Sequence, residues 1–140
     1  MIWVVDTKGG MTYANTRLCT FAGTTMTSVL GDKWQMLVHQ DDRAEAAAAM
    51  NAALRARQPF TIECRMRNRD GDYRWVTVAG NPRTGNGRYA GFFGTVADST
   101  PRRIAEHAAG LASSRLHALV AAMDDMCVGV GKEEEIIFWN

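Results

Sequence analysis

Few side chains in this sequence could do chemistry. They are His39, His107 and His117, the cysteines Cys19, Cys64 and Cys127, and the carboxylates Asp41, Asp42 and 133–135. His39 falls between two helical stretches, where a neutral imidazole could ligate haem iron. The preferred reading is structural, a polar joint that caps or bridges helices. His107 and His117 fall on a later helix. A phosphoacceptor histidine would have an acidic residue just after it and a proline a few positions on. Ala108, Ala109, Gly110 and Leu111 follow His107 instead, so both are read as solvent-facing. Asp41 and Asp42 are expected to cap a helix, and 133–135 to form a solvated turn. The three cysteines are far apart and lack CxxC spacing, which argues for a reducing compartment and against a disulfide scaffold or zinc site. No phosphate-binding glycine loop or nucleophile elbow occurs. The stretch is expected to have no catalytic residue and no metal site.

Composition narrows the partners. The 140 residues fit one domain, or one and a fragment, and 46% are hydrophobic, enough for a packed core. Sixteen basic and 15 acidic residues leave a net charge of +1, so no nucleic-acid or anionic-membrane partner is indicated. No apolar run approaches the roughly 18 residues of a membrane span. The N-terminus does not read as a signal peptide, so a cytoplasmic location is expected.

The elements that must position these residues follow from periodicity. Residues 60–66 alternate strictly, with Phe60, Ile62, Cys64 and Met66 on one side and Thr61, Glu63 and Arg65 on the other. That is the period of a strand with one face buried. Asp70-Gly71 signals a hairpin turn, 73–79 the return strand, 81–87 a Pro/Gly-rich loop, and 89–97 a third strand. Upstream, 2–5 and 11–14 read as a hairpin about Gly9-Gly10. Asn15 is placed to cap a short helix over 16–22, closed by Gly23. Short helices are expected over 24–30 and 34–38. Asp42, with Glu45 three residues on, reads as a capping box opening the longest helix, 43–57, which Pro59 ends. Thr100-Pro101 starts a last helix, whose Ala105, Ala109, Ala112, Leu116, Leu119 and Met123 make a heptad-like seam. Residues 127–140 repeat the plan of 2–15: apolar strand, polar turn, apolar strand, Asn.

These pieces resemble a family. Glu63-x-Arg65, Asp70-Gly71-x-Tyr73-Arg74-Trp75 and Gly91-x-x-Gly94-x-x-x-Asp98-x-Thr100 resemble the C-terminal half of a PAS domain, the PAC motif. Met11 to Asn15 and Trp34 to Arg43 resemble its second strand and its central helical crossing. The resemblance covers residues 2–98 in order. It implies an α+β fold: a five-stranded antiparallel sheet, with short helices and one longer helix on one face, plus a C-terminal linker helix. The expected organisation is a PAS/PAC domain over 1–99, with a start that leaves room for truncation, a linker helix over 100–124, and over 125–140 the first hairpin of a second PAS domain.

The resemblance also bears on ligands. Ile62, Cys64, Met66, Val76, Val78, Phe92 and Val96 correspond to positions that line the pocket in ligand-binding relatives. Flavin-binding relatives offer Asn and Gln there, and this sequence has neither. A reactive flavin-linked cysteine would belong near 33–37, not at Cys19, and the haem ligand of one PAS group lies on the long helix, which has no histidine here. No cofactor is therefore expected, haem and flavin being disfavoured, while a small apolar ligand or a self-filled pocket fits. Tyr73, Trp75, Tyr89 and Phe93 fall on the opposite face and, with Leu116, Leu119 and Met123, are candidates for an interface. The function implied is a sensory or regulatory PAS module of a bacterial-type multidomain signalling protein. Its parent would end in a histidine kinase or cyclic-dinucleotide enzyme, its partners being a second copy in a homodimer and the adjacent PAS and output domains. The alternative is a ligand-free PAS scaffold for dimerisation.

Overall fold

The computed structural model describes residues 1–126, with side chains through residue 121. It divides into two compact units, Met1–Thr100 and a second beginning at Pro101. The first unit runs β1 (Ile2–Val5), β2 (Met11–Ala14), α1 (Thr16–Ala22), α2 (Met26–Val29), a 3₁₀ helix (Asp32–Leu37), α3 (Gln40–Ala56), β3 (Phe60–Arg67), β4 (Tyr73–Gly85) and β5 (Arg88–Asp98). The strands form one antiparallel sheet in the order β2-β1-β5-β4-β3, so the first hairpin docks beside the last strand.

Local chemistry accounts for most boundaries. The Asn15 carboxamide oxygen accepts from Leu18 N at 3.1 Å and from Ile2 N at 3.0 Å, capping α1 and holding it to β1. Gly23 closes α1 in the left-handed conformation at φ 62°, as its sequence position suggests. The Asn68 side chain accepts from Asp70 N and Asp72 N, so the β3–β4 turn at Asp70-Gly71 is internally bonded.

Three boundaries differ from the sequence reading. The long helix starts at Gln40, and its cap is His39, whose Nδ1 accepts from Asp41 N at 3.2 Å. Asp42 is therefore not the cap. The middle helices also differ: α2 is a single turn, and the next is a 3₁₀ helix that begins two residues earlier than expected. The third difference is larger. Residues 81–87 are not a loop, because β4 continues to Gly85 and turns at Asn86-Gly87. Both turn residues have positive φ, 50° and 74°, the requirement of a type I′ hairpin turn. Pro82 is accommodated because the ladder is irregular just beyond it.

That irregularity reverses a side chain. Pro82 pairs with Phe92 and Thr84 with Tyr89, so β5 carries the extra residue, at Ala90-Gly91. A bulge of this kind shifts the alternation by one. Gly91 sits there at φ 102°, and a Cβ on it would run into the Val5 carbonyl oxygen. Only glycine suits both conditions.

In the second unit, α4 (Thr100–Met126) begins where the Asp98 carboxylate accepts Thr100 N at 2.9 Å. Leu116 and Leu119 are exposed along it. The side chain of Met123 and the proposed second hairpin, 127–140, lie outside the described residues.

Candidate functional site

The core gathers on the sheet face that carries Cys64, Met66, Val76, Phe92 and Val96, all buried. Register brings them together: Cys64 lies opposite Val76, Ile62 opposite Val78, and Val78 opposite Val96. Within this layer is a cavity of about 40 Å³. Of the residues predicted to line a pocket, Ile62, Cys64, Met66, Val78 and Val96 do so, joined by side chains from the helices above, including Leu18, Leu37 and Met50. Val76 and Phe92 do not reach it. Both are fully buried beside it, where the register packs them into neighbouring strands.

Sequence reasoning missed Trp3, whose indole lines the cavity. Trp3 pairs with Gly94, and Gly94 pairs with Gly80 on the next strand. A Cβ on Gly94 would strike Trp3 Cζ2, and one on Gly80 would lie 2.9 Å from Trp3 Cη2. The indole therefore lies across a shelf of two glycines and reaches Phe60, at 6.2 Å between ring centroids. The signal was two glycines on inward positions of adjacent strands, which leave room for a large ring laid flat.

The cavity walls are apolar throughout. The Trp3 and Trp34 indole N–H groups are buried without a partner, yet neither faces the void. A void of this character favours molecules without hydrogen-bonding groups and excludes water. The Cys64 thiol on its wall is pushed up to about 11, chiefly by burial, and stays protonated at neutral pH.

Among the described residues, none of the other chemical candidates lines the cavity. Cys19 is half-buried and free. His39 spends its Nδ1 on the α3 cap and lies edge-on to Tyr73, with ring centroids 4.5 Å apart. That is the structural joint expected of it. Asp42 does a different job from the one expected. Its carboxylate accepts from Arg65 N at 2.8 Å, Nε at 3.0 Å and Nη2 at 2.6 Å, tying α3 to β3. The Arg65 hydrogen bonds hold the Asp42 carboxyl below the usual carboxylate range. Asp41 approaches the same guanidinium at 3.8 Å.

On the outer sheet face Tyr73 and Phe93 are exposed, at 44% and 47%, while Trp75 is half-buried beneath the Arg65 guanidinium, 5.6 Å from the ring. Tyr89 does not join them. The bulge turns it to the helix side, edge-on to Phe92 at 6.3 Å and under the guanidinium of Arg57 at 4.9 Å.

Comparisons agree with this geometry. A family model described as PAS fold matches residues 11–96. The chain is 33% identical over 118 residues to the "Uncharacterized protein y4lL" of Sinorhizobium fredii, which covers 84% of this chain but only 14% of that relative. Among solved structures, a sensory box histidine kinase/response regulator from Burkholderia thailandensis is 28% identical at a TM-score of 0.60, covering 84% of this chain and 89% of that one. The N-terminal domain of a diguanylate cyclase with PAS/PAC sensor from Marinobacter aquaeolei has a TM-score of 0.64 at 15% identity, covering 73% and 96%, and so shares the fold. Among the described residues, no helix is long and apolar enough to cross a membrane. Sheet order, cavity and family match agree: this chain belongs to the PAS-fold family.

Proposed function

We propose that residues 1–99 are the sensory or regulatory module of a bacterial-type multidomain signal-transduction protein. A small apolar ligand enters the cavity, and the helix over 100–124 passes the change to an adjacent PAS domain and an output domain. The observation carrying this reading is the apolar void at the meeting of helices and sheet. Occupying it must alter the packing of α1, the 3₁₀ helix and α3 on the strands, because close-packed interiors transmit a volume change. A histidine kinase/response regulator and a diguanylate cyclase among the similar structures support one of those two outputs. Leu116, Leu119 and the exposed Tyr73 and Phe93 support a homodimer, since such a set of apolar side chains marks contact surfaces.

The test has two arms. Xenon, which has no hydrogen-bonding group, should give a distinct bound resonance in ¹²⁹Xe spectra of the protein, and light scattering should return twice the chain mass. Leu116→Asp with Leu119→Asp should return the single-chain mass with the domain's circular dichroism intact. A dimer that takes no xenon would favour the second reading, a ligand-free PAS scaffold. Trp3, which already fills the glycine shelf, is the observation on that side.

A further inference from the structure

A second concavity lies on the same unit, away from the cavity, where the C-terminal end of α3 faces the β1–β2 and β4–β5 turns. Its walls include Thr7, Leu54, Arg55, Arg57, Arg88 and Tyr89, and its volume is about 740 Å³. It is a broad concavity, largely open to solvent. Three of its side chains are guanidiniums and none is a carboxylate. Among the described residues, none of the three has an ion-pair partner. From this geometry we infer a binding site for a small organic polyanion, its phosphate or carboxylate oxygens held by Arg55, Arg57 and Arg88. This goes beyond the sensory reading and does not depend on it.

Arginines near a helix C-terminus commonly just offset the helix dipole, so the position of each matters. Arg57 follows the last turn of α3 in the left-handed conformation, φ 54°, which an arginine adopts at some cost. Its guanidinium carbon lies over the Tyr89 ring, 4.9 Å from the centroid. A cation held over an aromatic ring is partly ordered before a ligand arrives, which lowers the ordering cost of a bidentate contact to an oxyanion. Tyr89 can serve as that platform because the Ala90-Gly91 bulge turns it to the helix side. Arg88 is its chain neighbour on the Asn86-Gly87 hairpin, so one tight turn delivers both the ring and the second cation. Arg55 and Arg88 are exposed and unstacked, available to close on the anion from either side.

Titrating the ¹⁵N-labelled 140-residue chain with sodium tripolyphosphate, at constant ionic strength set by sodium chloride, tests this. Saturating shifts are expected at the amides of Thr7, Gly87, Arg88 and Tyr89 and at Arg57 Nε. Arg55→Gln with Arg88→Gln, both exposed, should weaken binding about tenfold or more without moving the unfolding midpoint. Arg57→Lys, which keeps the charge but loses the flat fork, should weaken it as well. Citrate run alongside separates the sources: a preference for tripolyphosphate assigns a phosphate ligand, and the reverse a polycarboxylate. Shifts that do not saturate, that sodium chloride alone reproduces, or that survive in the Arg55/Arg88 variant would overturn the site. Tighter binding of hexaglutamate than of either probe would overturn the small-molecule assignment in favour of an acidic protein partner.

Discussion

Gly80→Ala offers the sharpest test of how the cavity is built. The new methyl would meet the Phe60 ring edge and would lie 2.9 Å from Trp3 Cη2. Trp3 is only 2% exposed and has nowhere to retreat. Overpacking of this kind costs about 2 kcal/mol. At roughly 4–8 °C per kcal/mol for a domain of this size, the midpoint should fall by about 8–16 °C. Because both obstructions are side chains, removing one of them should relieve part of the cost. Trp3→Leu alone is destabilising, but Gly80→Ala combined with Trp3→Leu should cost about 1 kcal/mol less than the two single changes added. Gly94→Ala is the contrasting case. Its methyl would strike the Ala79 carbonyl oxygen as well as the indole, so Trp3→Leu should leave most of its cost in place. Urea unfolding of the three single and two double variants, read by circular dichroism, measures these terms. Strict additivity of Gly80→Ala and Trp3→Leu would show that the two positions do not compete for space, and the glycine-shelf account would fail.

Other expectations follow from the same geometry. The Asp42 carboxyl is held low in the folded state, so its contribution is complete above the ordinary carboxylate pKa of about 3.9 and is lost as pH falls through the lower folded value. Asp42→Asn should therefore lower stability at pH 7 and flatten the acid limb of a stability–pH curve. The Cys64 thiol runs the other way. Raised from 9.0 to about 11, it contributes below pH 9 and loses that contribution as pH climbs toward 11, a decline that Cys64→Ala should reduce. Peptide mass mapping after treatment with a disulfide-exchange reagent at pH 8 should find Cys64 unmodified until the protein unfolds. Gly91→Ala should cost roughly 1–3 kcal/mol by denaturant titration, since it combines a positive φ with a clash against Val5 O. It should also broaden the Tyr89 ring signals.

What could be read from the sequence was local or periodic. Asn15, Gly23 and Asp70-Gly71 announce their roles because each acts on a backbone group a few residues away. The alternation of 60–66 predicted its buried face, although Phe60 and Ile62 are only partly buried. Two glycines and a proline made 81–87 look like a loop, yet only Asn86-Gly87 turns. Strand parity placed Tyr89 among the outer aromatics, and parity cannot register an extra residue that a distant carbonyl, Val5 O, helps to impose. Asp42 matched a capping pattern, but an arginine 23 positions away outbid the helix for its oxygens. Trp3 over Gly80 and Gly94 joins strands at opposite ends of the domain, a distance that no window along the chain spans.

The contact between Asp42 and Arg65 N has a further effect. β3 is an outermost strand, and its free backbone groups could template an incoming chain. Asp42 takes one of those donors, His39 N binds the Arg65 carbonyl at 2.8 Å, and Val38 bridges Met66. On the opposite margin, Met11 and Gly31 exchange two backbone bonds at 2.9 Å. Both rims are thus partly sealed by the domain's own polypeptide, which discourages fibril-like growth by strand addition and leaves the outer face of the sheet as a surface through which copies can associate.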